Sequence, residues 1–159
     1  MNDFELLNGA LVNQRNHVLV AVDGLSEQEL TTPVAPSHWT PAGLVQHLAF
    51  DVERNWFRAV FAGQNVANES GPARAWDVAS GGGAAVIERY RHECALADEV
   101  IAAHASSDEP VAWPERFSTS RLSNLYEIML HVVTETACHA GHLGIVRENL
   151  DGTQYVVID

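Results

Sequence analysis

The stretch "ETACHAGHLGIVRE" (residues 135–148) places Glu135, Cys138, His139 and His142 within a little over two helical turns, with no proline to break them. Carried back to Leu125 and on to Leu150, its apolar residues keep a helical period. On a wheel of about 100° per residue with His131 at zero, Ile128 and Val146 fall near 60°. Val132 and Leu150 fall near 100°, and Leu125 and Leu143 near 120°, so the core direction lies roughly at 90°. His139 sits near 80° and Glu135 near 40°. His142 at about 20° and His131 at zero lie toward the flank, and Cys138 near 340° points away.

A long helix with one apolar stripe needs other helices to cover it, which points to an all-α fold. The position of Glu135 raises a second matter. An ionised carboxylate facing a bundle interior costs several kcal/mol unless something compensates it. Glu135 and His139 are spaced i, i+4, so both can converge on one point. A divalent metal would satisfy both, and so would a Glu–His hydrogen bond tying helices together; the helix alone leaves both readings open.

The rest of the chain supplies the partner helices. Phe4, Leu7, Leu11, Val18 and Val22 predict a first helix over about residues 3 to 23. "LSEQELTTPVAPSHWTP" interrupts it with three prolines, leaving room for a single turn at "SEQEL". "TPAGLVQHLAFDVERNWFRAVFAG" reads as a second helix, with Thr40 as N-cap, Pro41 in the first turn and Gly63 as the stop. A Gly-rich loop leads to a third helix over about 83 to 104, carrying Val86, Ile87, Tyr90, Cys94, Ala97, Val100 and Ile101. A second loop reaches Ser123, the expected N-cap of the fourth helix, which ends at Gly152. Four helices of about 20 to 27 residues predict one four-helix bundle domain over 1–159, with long connecting loops and a short extended C-terminal tail.

Composition excludes several function classes. The chain has 159 residues, 47% hydrophobic and 19% charged, as expected for a single soluble domain. With 9 Lys+Arg against 21 Asp+Glu its net charge is −12, which disfavours nucleic acid and anionic membrane as partners. No apolar run approaches a membrane span, and "MNDFELLNGALVNQ" has no secretory pattern. A cytoplasmic setting is therefore expected, with Cys94 and Cys138 as reduced thiols.

Two donors on one helix need a third from another. His38 lies in a Pro-rich loop and His104 at a helix end; His17, His47 and His92 remain on helices. His47 shares its flank with Asp51, Arg54 and Arg58 on a helix apolar on most sides. The residues alone rank His47 only slightly above His17.

Taken together, "TPAGLVQHLAFDVERNWFRAVFAG", "YRHECALADEVIAA" and "LHVVTETACHAGHLGIVRENLDG" resemble the DinB/YfiT-like superfamily of four-helix metalloproteins. The similarity is greatest to its domain-of-unknown-function branch, related to the mycothiol-dependent maleylpyruvate isomerases, and covers nearly the whole chain. The resemblance implies metal ligands His47, Glu135 and His139, with His142 as an additional ligand or a partner to one. It implies a divalent metal, zinc ahead of nickel, with open positions for water or substrate. It also implies a low-molecular-weight thiol such as mycothiol as co-substrate, activated to attack an electrophile.

Three functions follow as expectations: a thiol S-transferase or isomerase, a metal-dependent hydrolase with water as nucleophile, or a non-catalytic metal-stabilised bundle. A homodimer through helix faces is compatible with each. Arg54, Arg58, Arg89 and Arg91 are candidates to hold a substrate carboxylate, weighed against surface ion pairing as the simpler role. Trp39, Trp56, Trp76 and Trp113 are candidates to line a cleft, with at least two expected in ordinary packing. His131 is expected as a flanking polar residue, and Cys138 as chemically idle.

Overall fold

A computed structural model describes residues 2–66, 76–79, 82–115 and 121–155. Its helices are α1 (Asp3–Val22), α2 (Glu27–Thr31), α3 (Pro41–His47) with a π-helical continuation (Leu48–Phe61), α4 (Gly83–Ala103) and α5 (Leu125–Asp151). Among the described residues there is no strand, and the long helices form an all-α bundle. α1 packs chiefly on α5 and α4 chiefly on the π-helical segment, while α5 also packs against that segment. The C-terminal tail is described as far as Tyr155, whose ring stacks on His17 of α1 at 3.6 Å and 7°. Its remaining residues, 156–159, lie outside the described residues.

The caps explain where the helices begin. Asn2 and Glu5 form a reciprocal capping box at α1, as do Ser26 and Glu29 at α2. Thr40 accepts from the Gly43 N–H at 3.0 Å, with Pro41 behind it, as the sequence predicts. For α5 the expected cap moves by one residue. Asn124, not Ser123, accepts from the Glu127 N–H at 3.0 Å, because it stands three residues ahead of that donor. Ser123 instead donates its own N–H to the Glu127 carboxylate at 2.6 Å. Gly152 closes α5 at φ 78, in the left-handed region.

The π-helical segment is the element that helical periodicity at 3.6 residues describes least well. Its wider i→i+5 bonding continues past the end, where the Ala62 N–H donates to the Phe57 carbonyl at 3.0 Å. Each residue then turns the helix through a smaller angle, so the side chains sharing a face differ from those of an α-helix. Val52, Trp56, Phe57, Val60 and Phe61 are buried there, but so are Glu53, Arg54 and Arg58.

Those charges are paired across the bundle, which corrects the expectation of surface ion pairs for Arg54 and Arg58. Glu93 of α4, fully buried, accepts from Arg54 at 2.6 and 3.0 Å and from Arg58 at 2.9 Å. Arg15 of α1 forms a two-point pair with buried Glu53 at 2.6 and 2.8 Å and reaches Asp98 at 2.6 Å. Burial opposes the charge on Arg15, but the Glu53 carboxylate and its hydrogen bonds outweigh it and hold the guanidinium protonated. Arg91 does pair at the surface, with Glu88, and Arg89 lies half-exposed at 3.9 Å from Glu93.

Candidate metal centre

α3 ends at His47, the last residue before the helix widens, and α5 presents Glu135 and His139 one turn apart. Their ligand-capable atoms all lie within 4.8 Å of one another. His139 Nε2 stands 3.7 Å from Glu135 Oε2, and the His47 and His139 rings meet edge to face at 5.1 Å and 85°. Three donor-capable side chains from two helices thus come together: the pair that the α5 spacing offered, and the His47 that only the resemblance singled out.

His47 is oriented by a residue on its own helix. Its Nδ1 lies 2.8 Å from Asp51 Oδ2, four residues on. The carboxylate only accepts, so the Asp51 contact places the imidazole proton on Nδ1 and leaves Nε2 as the lone-pair donor. The side of the ring is covered by Trp76, stacked at 4.7 Å and 14°. Burial holds His139 below the usual histidine range, with His47 and His142 adding to the effect and Glu135 opposing it. A neutral imidazole is the form that can ligate. His139 Nδ1 is buried with no hydrogen-bond partner among the described residues. Two imidazoles and one carboxylate converging on one point are a donor set suited to a divalent ion with positions left open.

The burial of Glu135 differs from the wheel's reading. Its side chain is 41% exposed against 18% for His139, so the carboxylate lies at the mouth of the cluster. Met129, Thr136 and Ala140, which the wheel left out, are also buried and turn the core face roughly 30° away from Glu135. The desolvation case for a compensating metal is thereby weakened, and convergence of donors takes its place.

The family model for mycothiol-S-transferase (MST) matches residues 6–152, a span that contains all three donors and Asp51. The chain belongs to the MST family. This is a DinB-like family, in agreement with the superfamily resemblance. No curated protein and no solved structure matches the chain significantly.

The other candidates sort clearly in this MST-family chain. His142 is exposed and stands beside the cluster, its ring 5.7 Å from His139 and 6.4 Å from Trp39. His131 packs edge-on against Trp56 at 4.6 Å, the flanking role expected of it. Cys138 is exposed and Cys94 half-buried, both free; burial and the nearby Glu53 push the Cys94 thiol up, away from the nucleophilic range. Trp56 is buried and packs against Trp113 at 5.9 Å, while Trp39 and Trp76 border the cluster. Arg54 and Arg58 are committed to Glu93 rather than turned toward a substrate. Asp51 is the site neighbour whose part the sequence reading missed, whereas Trp76 and Trp39 were among its cleft candidates. For Asp51 the signal was present in its i, i+4 spacing from His47. Among the described residues no helix is long and apolar enough to cross a membrane.

Proposed function

We propose that the chain is a small-thiol S-transferase, of the mycothiol type, with a divalent ion held by His47, Glu135 and His139. The observation that carries this reading is the convergence of three donors within 4.8 Å in a chain of the MST family. Such an ion, when bound, lowers the pKa of a thiol and holds it as the nucleophilic thiolate. Two imidazoles and one carboxylate suit zinc, and nickel second. Asp51 fixes the tautomer of His47, and burial keeps His139 neutral and ready to donate. Glu135 contributes the negative charge that balances part of the cation's. His142 serves as a neighbour beside the ligands, not as one of the three. Two unbridged thiols, Cys94 and Cys138, support a cytoplasmic setting.

The test combines metal analysis with a thiol assay on protein purified without a metal-affinity tag. Close to one equivalent of zinc or nickel is expected, lost in Glu135→Gln and His139→Asn, together with mycothiol-dependent consumption of an electrophile. Under a tenth of an equivalent, with no uptake of added zinc or nickel, would sink the metal reading. Turnover that proceeds equally without thiol would make water the nucleophile and the protein a hydrolase.

A further inference from the structure

The donors are embedded in an unbroken series of aromatic rings. Trp76 stacks on His47 (4.7 Å), His47 meets His139 (5.1 Å), His139 meets His142 (5.7 Å) and His142 meets Trp39 (6.4 Å). Each end of the series is built into the fold. The Gln46 side-chain amide donates to the Asp77 carbonyl at 3.0 Å, anchoring the segment that carries Trp76. Gly43 makes room for it, since a Cβ there would lie 3.3 Å from the Trp76 carbonyl oxygen and 3.0 Å from Thr40 Oγ1. At the other end, the Val34 N–H donates to the Trp39 carbonyl at 3.0 Å, closing a loop in which His38 takes φ 63. Although pinned and stacked, Trp76 remains 44% exposed.

The charges around this rim are acidic. Glu135 is part-exposed and Asp51 more so, whereas Arg54 and Arg58 are consumed by Glu93. An exposed indole face held beside the donors offers a stacking platform for a flat, electron-poor ring.

We propose that Trp76, exposed beside His47, forms the electrophile subsite of this centre, and that it selects aromatic electrophiles over aliphatic ones. The inference rests on the transferase reading of the site. With an aryl halide, the thiol sulfur supplies the electron pair of the new C–S bond. The C–halogen bond breaks, halide leaves, and the thiol proton passes to water. Trp76 takes no part in bond making; it orients the ring and is a specificity-determining residue.

The experiment compares zinc-loaded wild type, Trp76→Phe and Trp76→Leu, with mycothiol as thiol and chlorodinitrobenzene or iodoacetamide as electrophile. Equilibrium dialysis of unreactive dinitroaniline against the same proteins reads binding alone. Trp76→Leu is expected to lower kcat/KM for the aryl halide about tenfold, through KM, with little change for iodoacetamide. Trp76→Phe keeps the preference, and dinitroaniline affinity falls in the Leu variant only. Equal loss for both electrophiles, or unchanged dinitroaniline affinity, overturns the subsite and leaves Trp76 as packing for His47. If wild type turns over neither electrophile yet dinitroaniline binding depends on Trp76, the subsite stands and the transferase reading falls.

Discussion

Two polar clusters in this molecule are made from similar residues and do opposite things. In the Arg15–Glu53 and Arg54–Glu93–Arg58 pairs every charge is buried and meets its opposite at hydrogen-bond distance. In the His47–Glu135–His139 cluster the groups are part-exposed, and His139 Nε2 stands 3.7 Å from Glu135 Oε2, beyond hydrogen-bond distance. The first arrangement is electrostatically closed and ties α1, the π-helical segment and α4 into one unit. The second is open toward solvent, with Glu135 at its mouth. Satisfied charge marks architecture here, and the part-exposed convergence of donors marks a candidate site.

The sharpest way to break this contrast is to neutralise one carboxylate in each cluster. Glu93→Gln leaves two buried guanidinium groups without their counter-charge and is expected to cost roughly 3–5 kcal/mol. Glu135→Gln in metal-free protein should stay within about 1 kcal/mol of wild type, because its carboxylate is part-exposed and weakly paired. Urea unfolding of both variants measures the difference. If Glu135→Gln destabilises as strongly as Glu93→Gln, the His–Glu cluster is structural and the contrast collapses.

A smaller effect is expected from the residue that orients His47. Asp51→Asn retains the shape but no longer demands the Nδ1–H tautomer, and should weaken zinc binding about 10–100-fold. Competition against a chelating dye reads that loss, while urea unfolding of the metal-free variant should hardly change. Gly43→Ala comes next. Its methyl would crowd the Trp76 carbonyl, at a cost of roughly 1–3 kcal/mol, and the displaced indole should red-shift the protein's fluorescence.

The same contrast explains what could be read from the sequence. α1, α4 and α5 were legible because their apolar residues keep the 3.6-residue period, and α1 and α5 also begin at side-chain caps. Glu135 and His139 were legible as a pair since one helix supplies both at i, i+4. The π-helical segment was not, because its residues turn through a different angle and the wheel mixes its faces. That is also why the residues alone could not separate His47 from His17, and why Arg54 and Arg58 looked like surface groups. Their partner, Glu93, lies 39 and 35 residues away on another helix, a separation no local spacing reveals.

His17, the donor that rivalled His47 in the sequence, offers the smallest and most discriminating test. Among the described residues its ring lies against Tyr155, a Cβ on Gly144 would stand 3.3 Å from its Nε2, and that nitrogen is buried without a hydrogen-bond partner. Burial therefore holds its pKa below the ordinary histidine value of 6.5. The unfolded chain then takes up the proton first as the pH falls. Stability attributable to His17 is present above about pH 6.5 and is lost on acidification toward its lower folded value. His17→Gln cannot titrate, so its urea midpoint should fall less than that of wild type between about pH 7.5 and 5.5. Every other group is common to both proteins and cancels in the difference. Parallel midpoints would mean that His17 finds an acceptor for its proton on folding, and that it belongs with the satisfied groups of the first cluster.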